Sequence, residues 1–112
     1  MDVSLQVPGA AELPDDIEAL FYRVAQEAIR NARSHGEATE VEICVETDPH
    51  QAILSVVDNG RGFSPEAGGE RQRESHFGLR LMRDLVDHAG GRLAVVSSPG
   101  QGASIRLTVP LR

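Results

Sequence analysis

The sequence predicts one α/β (α+β) domain, a two-layer sandwich in which a mixed, largely antiparallel sheet carries helices on one face. The length of 112 residues suits a single buried core. Two segments repeat apolar residues at helical spacing, and five shorter runs are typical of strands. Several of these strands follow one another through hairpin turns, and the predicted order is β-α-β-β-loop-α-β-β.

The amino-terminal part contains a strand and a long helix. Residues 3–7 alternate between apolar and polar side chains, which predicts a short, half-buried strand. Pro14-Asp15-Asp16 is a helix start, because acidic residues stabilise the positive end of the helix dipole. Residues 17–32 then repeat apolar residues at i, i+3, i+4 and i+7, and Gly36 is the predicted stop.

A hairpin follows the helix. Residues 39–47 alternate strictly, which predicts a strand with one wet face, and Cys44 lies on that face. A turn precedes residues 53–57, an apolar run that predicts a more fully buried strand. Residues 58–62, Asp-Asn-Gly-Arg-Gly, end this strand sharply.

The carboxy-terminal part begins with a polar stretch. Residues 64–76 predict a mobile loop, which at this length inside a compact domain is usually functional or disordered. Gly78 is predicted to open the second helix, whose apolar residues follow helical spacing over 79–89. Residues 93–96 and 105–109 predict two strands joined by a turn.

Composition excludes several function classes. The chain has 11 basic and 17 acidic residues, a net charge of −6, and all of its basic residues are arginine. Without lysine, a Walker-type phosphate loop, a eukaryote-type protein kinase and Schiff-base chemistry are excluded. The acidic balance argues against a nucleic-acid partner, and no apolar run suits a membrane span or signal peptide. A single cysteine and four histidines without metal spacing point to a cytoplasmic domain with no cysteine or histidine metal cluster.

Polar residues that could carry chemistry stand beside the predicted core. Glu27 and Asn31 are four apart, so they share one helix face at the border of the apolar stripe. They could therefore face a cleft between helix and sheet, or form a solvated pair. Asp58 can only accept hydrogen bonds, so it could pair with the exocyclic amine of adenine and reject guanine. The alternative for Asp58 is an ordinary Asp-Asn-Gly turn.

Glycines mark three further positions. Gly60 and Gly62 would let the backbone pass close to a ligand. Gly78, at the predicted helix start, could seat a phosphate, because unpaired N–H groups and the dipole point there. The alternative is a junction that simply needs glycine. Gly100 and Gly102 alone indicate only a turn.

Four segments occur in a fixed order: YRVAQEAIRNA at 22–32, DNGRGF at 58–63, HFGLRLMR at 76–83 and PGQG at 99–102. Together they closely resemble the N, G1, G2 and C-terminal glycine boxes in the ATP-binding catalytic domain of bacterial sensor histidine kinases. The first and third segments look like the subgroup whose partner regulators carry helix-turn-helix output domains. The resemblance runs from about residue 3 to the end of the chain.

This resemblance implies a Bergerat-type fold, shared with gyrase-type and chaperone-type ATPases, that binds ATP and Mg²⁺ between helices and sheet. It implies that Asn31 coordinates Mg²⁺ through its amide oxygen, and that Glu27 orients water or the metal shell or acts as a general base. Residues 64–77 would form the ATP lid, and Asp58 would bind the adenine amine. The other ATP-binding positions that it implies are His35, Gly60, Gly62, Phe63, Gly78, Leu79 and Gly102.

Some positions depart from the family pattern. Ser34 stands where relatives commonly have a lysine before the histidine, which removes one phosphate contact. Ser75 replaces a common glycine, so the lid hinge is expected to be stiffer. Arg71, Arg73 or Arg80 could supply the missing positive charge, or they could be solvated surface charges.

The resemblance implies a histidine kinase that transfers the γ-phosphoryl group of ATP to a histidine on a separate dimerisation domain, for relay to a response regulator. No such histidine helix precedes this domain, so we expect an excised catalytic domain without nucleic-acid or membrane contacts. One alternative is a free-standing serine kinase of the anti-sigma type. Another is a degenerate nucleotide-binding interaction module, which Ser34, Ser75 and Leu81 motivate.

Overall fold

The computed structural model describes residues 1–7, 13–34, 37–61, 70–97 and 100–111, with only the backbone described for 70–78. Within these residues the element order is the one that the sequence predicts. The elements are β1 (Asp2–Gln6), α1 (Asp15–Ser34), β2 (Glu40–Thr47), β3 (Gln51–Asp58), α2 (Glu70–His88), β4 (Arg92–Ser97) and β5 (Ala103–Pro110).

The five strands form one sheet in the order β1-β2-β3-β5-β4. Among the described strands, only β1 and β2 pair in parallel, and the other three pairs are antiparallel. A parallel pair needs a connection that returns along the sheet, and α1 supplies it. The prediction of a mixed, largely antiparallel sheet is confirmed.

Two features stabilise helix α1. Acidic residues in its first turn interact favourably with the positive end of the helix dipole, and its apolar stripe packs against the sheet. The backbone N–H groups of Ile17 and Glu18 donate to the Pro14 carbonyl at 3.0 and 2.9 Å, which closes the first turn. Its buried residues keep the predicted spacing, and they are Ile17, Phe21, Val24, Ala28 and Ala32.

One face of the sheet carries both helices, and the core lies between the two layers. The strand register places Ile43 beside Val56, and Val56 in turn beside Ile105. Because paired residues point to the same side of a sheet, these side chains form one apolar layer. The largest fully buried side chains of the core are Leu54, Met82, Leu107, Val24, Val41, Val86 and Val109.

Strand β1 is present, but the prediction that it is half-buried is wrong. Val3, Leu5 and Val7 are 48%, 65% and 46% exposed. The register pairs Val3 with Val41 and Leu5 with Ile43, so these side chains point toward the helix side of the sheet. They stay exposed because β1 is the edge strand among the described strands and has a neighbour on one side only.

Strand β3 is buried on one face only, which corrects the prediction of a more fully buried strand. Leu54 and Val56 lie in the core, whereas Val57 is 44% exposed. An antiparallel sheet with helices on one side leaves its other face toward water. Cys44 lies on that open face, where partial burial and the neighbouring Glu46 carboxylate raise the pKa of its thiol.

Helix α2 begins at Glu70, so the prediction that Gly78 opens it is wrong. Residues 70–74 are Glu-Arg-Gln-Arg-Glu, all good helix formers, with an acidic residue at the first position. A single internal glycine costs a helix only about 1 kcal/mol, which does not end it. The stretch 70–76, predicted as loop, is therefore helical, and 62–69 lie outside the described residues.

Candidate functional site

The polar border of α1 is built as the sequence predicts. Glu27 and Asn31 are half-buried, and each directly precedes a buried alanine of the core stripe. The Glu27 carboxylate lies 3.7 Å from the Arg30 guanidinium, one helical turn along. Its side chain is 20% exposed, against 69% for Arg30, so the carboxylate sits closer to the core than its partner.

Asp58 ends β3, and its carboxylate is held in place by the backbone that follows. Its Oδ1 accepts a hydrogen bond from the Gly60 N–H at 2.8 Å, so the Asp-Asn-Gly turn does form. Among the described residues, no other hydrogen bond reaches the carboxylate, which leaves acceptor capacity on a half-buried group. Asp58 can thus take part in an ordinary turn and still offer its carboxylate to a ligand.

Gly102 packs directly behind Asp58. It is buried and has a φ of 74°, a left-handed conformation that favours glycine. A Cβ at this position would collide with the Asp58 carbonyl oxygen. The next residue, Ala103, pairs with Asp58 in the β3–β5 register. The structure thus gives a physical reason for the glycine that the sequence alone could assign only to a turn.

Asn59 has a structural role that sequence reasoning missed. Its Oδ1 accepts hydrogen bonds from the backbone N–H groups of Thr39 and Glu40 at 3.0 and 2.9 Å. Its Nδ2 donates to the Thr39 hydroxyl at 2.9 Å. An asparagine just after a strand is a common source of such side-chain to backbone bonds, and this was the available signal. Asn59 therefore fixes the start of β2 against the end of β3.

Two contacts bring the end of α1 and the glycine segments to one end of the molecule. Arg61 lies 3.4 Å from the Glu37 carboxylate, which follows α1, although both side chains are more than half exposed. The Gly100 N–H donates to the Arg61 carbonyl, so the β4–β5 turn also reaches this segment. An exposed ion pair contributes little stability, so the backbone bond is the stronger constraint.

Helix α1 borders a cavity of about 550 Å³. Two of its described lining residues are arginines and one is a carboxylate, so this lining carries a net charge of 2 − 1 = +1 in a chain of net charge −6. The described lining residues are Gln26, Glu27, Ile29, Arg30, Arg33 and Ser34.

The remaining predicted positions are placed differently or are not described. Gly78 lies inside α2, eight positions after its first residue, so no helix end lies there to bind phosphate. The Leu79 side chain is in the core, with 9% exposure, which leaves only its backbone for a ligand. Arg80 is exposed. His35, Gly62 and Phe63 lie outside the described residues, as do the side chains of Arg71 and Arg73.

The described side chains offer no cluster of three or more His, Cys, Asp or Glu that could hold a metal ion. Mg²⁺ needs few protein ligands when substrate phosphates and water complete its shell. The amide oxygen of Asn31 and the carboxylate of Glu27 are hard oxygen donors that suit this ion. In the part of the chain that the structure covers, no helix is long and apolar enough to cross a membrane.

Residues 16–112 match the family described as histidine kinase-, DNA gyrase B- and HSP90-like ATPases. The chain is similar to the signal transduction histidine-protein kinase/phosphatase DegS of Bacillus subtilis (strain 168), with 37% identity over 99 residues. That match covers 88% of this chain and 26% of the relative. The sensor histidine kinase LiaS of the same organism is 32% identical over 95 residues, which cover 85% of this chain and 25% of LiaS. The chain thus spans about a quarter of these relatives.

Solved structures agree on the fold. The histidine kinase domain of the blue-light activated histidine kinase from Erythrobacter litoralis EL346 superposes with a TM-score of 0.69 and 22% identity, covering 98% of this chain and 51% of that one. A second structure of that kinase gives a TM-score of 0.73, with 35% of its chain covered. These structures support the Bergerat-type fold. ATP as the nucleotide follows from the family match over residues 16–112. The chain belongs to the family of histidine kinase-, DNA gyrase B- and HSP90-like ATPases.

Proposed function

We propose that this domain binds Mg-ATP at the end of the molecule where Asp58 meets Gly102, and that it serves as the catalytic domain of a sensor histidine kinase. The observation that carries the proposal is the Asp58 carboxylate, fixed by the Gly60 N–H at 2.8 Å and braced by the buried Gly102. The border residues Glu27 and Asn31 on α1 supply the polar groups for the phosphate end.

Adenine recognition rests on the chemistry of Asp58. An ionised carboxylate accepts hydrogen bonds and donates none, so it binds the exocyclic amine of adenine and is unpaired against the carbonyl of guanine. The carboxylate would therefore favour adenine over guanine, because an acceptor that the nucleotide buries without a donor costs binding free energy. The Gly60 N–H donates to the Asp58 carboxylate and fixes its position, and Gly102 allows β5 to approach β3 without a side chain between them.

Phosphate binding rests on α1. Asn31, with Glu27 one turn before it, would hold Mg²⁺, which when bound neutralises phosphate charge. Glu27 could instead orient a water molecule or accept a proton. His35, Gly62 and Phe63 remain expected nucleotide contacts. Gly78 and Leu79 would contribute only through their backbone, from inside α2 rather than from its first turn.

The proposed reaction is an in-line phosphoryl transfer. A neutral imidazole nitrogen of the acceptor histidine attacks the γ-phosphorus, a P–N bond forms, and the bond to the bridging oxygen breaks. ADP leaves with the bonding electron pair. The domain contributes position and charge rather than covalent chemistry, which is the usual division in phosphoryl transfer.

The acceptor is proposed to be a histidine on a dimerisation domain of the same kinase, which passes the phosphoryl group to a response regulator. The two relatives that are named kinases support this proposal. A cytoplasmic setting is proposed with it, because ATP is the substrate.

Isothermal titration of the domain with ATP and Mg²⁺ tests the site. We expect Asp58→Ala to abolish or weaken ATP binding by at least about 10-fold, since it removes a charge-assisted hydrogen bond. Asp87→Ala is the matched control, because this exposed aspartate lies near the end of α2, where β4 starts at the other end of the sheet. Equal affinities of the two variants would contradict the adenine assignment.

Supplying a histidine-bearing dimerisation domain in trans tests the reaction. Acid-labile, base-stable phosphate on that domain is expected for phosphohistidine. Phosphoserine on an antagonist protein without any histidine domain would instead favour the anti-sigma type of kinase. Tight ATP binding without transfer to either acceptor would favour the degenerate binding module.

A further inference from the structure

The face of the sheet opposite the helices carries its charges in two separate halves. The acidic half lies on β1 and β2, the basic half lies on β5 and β4, and β3 between them is uncharged on this face. These exposed charged residues are Asp2, Glu40, Glu42 and Glu46 on the acidic half, and Arg92 and Arg106 on the basic half. We propose that this open face is a docking surface for a second copy of the same chain. The inference does not depend on the proposed nucleotide site.

The strand register keeps the two kinds of charge apart within one chain. Cys44 pairs with Ser55, and Ser55 pairs with Arg106, so these three side chains form one row across the open face. Glu42 and Glu46 stand on either side of Cys44 along β2. Because neighbouring strands are about 4.8 Å apart, Arg106 lies about 10 Å from β2. Within the described residues Arg106 forms no ion pair, so its guanidinium is available to a second chain.

The centre of the open face is uncharged and partly apolar. The register pairs Val57 and Val96 with Ser104 from its two sides, which makes a second row beside the first. Val57 is 44% exposed and Val96 is 71% exposed, although both lie within strands. Ile53 and Ser55 continue the uncharged surface along β3. Association would remove these apolar side chains from water, which favours it.

The charge pattern selects one arrangement of two copies. A two-fold axis along β3 places β2 of one copy over β5 of the other and keeps each row over its counterpart. Arg106 then faces the space between Glu42 and Glu46 of the second copy, and the symmetry repeats this contact once. Sheets packed face to face lie about 10 Å apart, which an arginine and a glutamate side chain together can span. A two-fold axis across the strands would instead stack β2 on β2 and oppose like charges.

The size of the face indicates a weak, reversible dimer. Its longest strands have 8 residues. Five strands about 4.8 Å apart, with a rise of about 3.3 Å per residue, give a face of roughly 500 Å² per copy. Two copies would thus bury roughly 1,000 Å², which is at the lower end for specific interfaces. The net charge of −6 on each copy also opposes association, so the local contacts between opposite charges decide whether the dimer forms.

Sedimentation equilibrium of the nucleotide-free chain tests this inference. We expect a reversible monomer–dimer equilibrium at concentrations up to about 500 µM, as an interface of this size predicts. Arg106→Glu should weaken the dimer at least about 10-fold, because both symmetric contacts then bring carboxylates together. Arg23→Glu is the matched control, since it changes the net charge equally and Arg23 is exposed on α1, in the helix layer. Circular dichroism melts check that each variant is folded.

Mixing two defective variants separates the proposed contact from a general charge effect. Glu42→Arg alone should also weaken the dimer, because its new guanidinium would face Arg106 of the second copy. An equimolar mixture of Arg106→Glu and Glu42→Arg should form a heterodimer about as stable as the wild-type dimer, since each contact again joins opposite charges. A wild-type chain that stays monomeric would overturn the proposal. A dimer that Arg106→Glu leaves intact, or mixed variants that do not associate, would do the same.

Discussion

Gly102 and Gly100 form a natural matched pair for testing how the fold shapes the nucleotide site. Both have left-handed backbone conformations, with φ values of 74° and 79°. A Cβ at Gly100 would meet nothing within 4 Å, whereas one at Gly102 would collide with the Asp58 carbonyl oxygen. Substituting each by alanine therefore imposes the same conformational strain, and only Gly102→Ala adds a steric conflict with the site.

The magnitudes can be worked from this difference. Left-handed alanine costs about 1–2 kcal/mol, which is the whole expected effect of Gly100→Ala. The collision at Gly102 is with backbone of a central strand, so it adds about 1–3 kcal/mol, as overpacking does. For a domain of this size, each kcal/mol lowers the melting temperature by about 4–8 °C. Gly102→Ala should therefore melt at least about 4 °C below Gly100→Ala.

The assay combines urea unfolding of both variants with ATP titration at a temperature where both are folded. Displacement of Asp58 should weaken ATP binding by Gly102→Ala about 3- to 10-fold, because small misplacements of a binding group are expensive. Gly100→Ala should bind ATP like the wild type. Equal stability and equal affinity of the two variants would refute the idea that Gly102 braces Asp58.

Two further predictions concern the turns that frame the sheet. The backbone N–H groups of His50 and Gln51 lower the pKa of Asp48, so its ionised form stabilises the fold above about pH 4 and this contribution is lost as the pH falls through the folded pKa. Asp48→Asn should thus lower the urea midpoint at pH 7, and the difference from wild type should shrink as the pH falls below about 4; a difference that stays constant as the pH falls would contradict this. Asn59→Ala should cost about 1–2 kcal/mol in urea unfolding, since two backbone N–H groups lose their acceptor. Asn59→Asp keeps that acceptor and should cost less, and equal losses would exclude the proposed role of these bonds.

The elements whose patterns reflect local physics could be predicted from the sequence. The stripe of α1 and the alternation of β2 predict their buried faces correctly, because one amphipathic face must meet one core. Gly78 did not predict the start of α2 correctly, because a glycine before an apolar run can mark a ligand-binding helix start or can lie inside a helix. The polar residues 70–74 outweigh it through helix propensity.

The residues of the candidate site could be named from the sequence, but their arrangement in space could not. Asp58 and Gly102 are 44 positions apart, and only the β3–β5 register shows that one braces the other. From the sequence, we expected Arg71, Arg73 or Arg80, which follow the DNGRGF segment at 58–63, to supply positive charge. The cavity beside α1 is lined by two further arginines, Arg30 and Arg33, which were not among them.

The edge position of β1 has a consequence for local unfolding. Among the described strands, β1 pairs only with β2, whereas the residues proposed to bind ATP lie on the helices and at the ends of β3 and β5. β1 can therefore detach without disturbing the pairing of β3 with β5. Amide protons at residues 2–6 should exchange with solvent faster than those of Leu54 and Leu107, which lie on the central strands. The domain can thus tolerate motion or strain at its amino-terminal strand while its central strands remain closed.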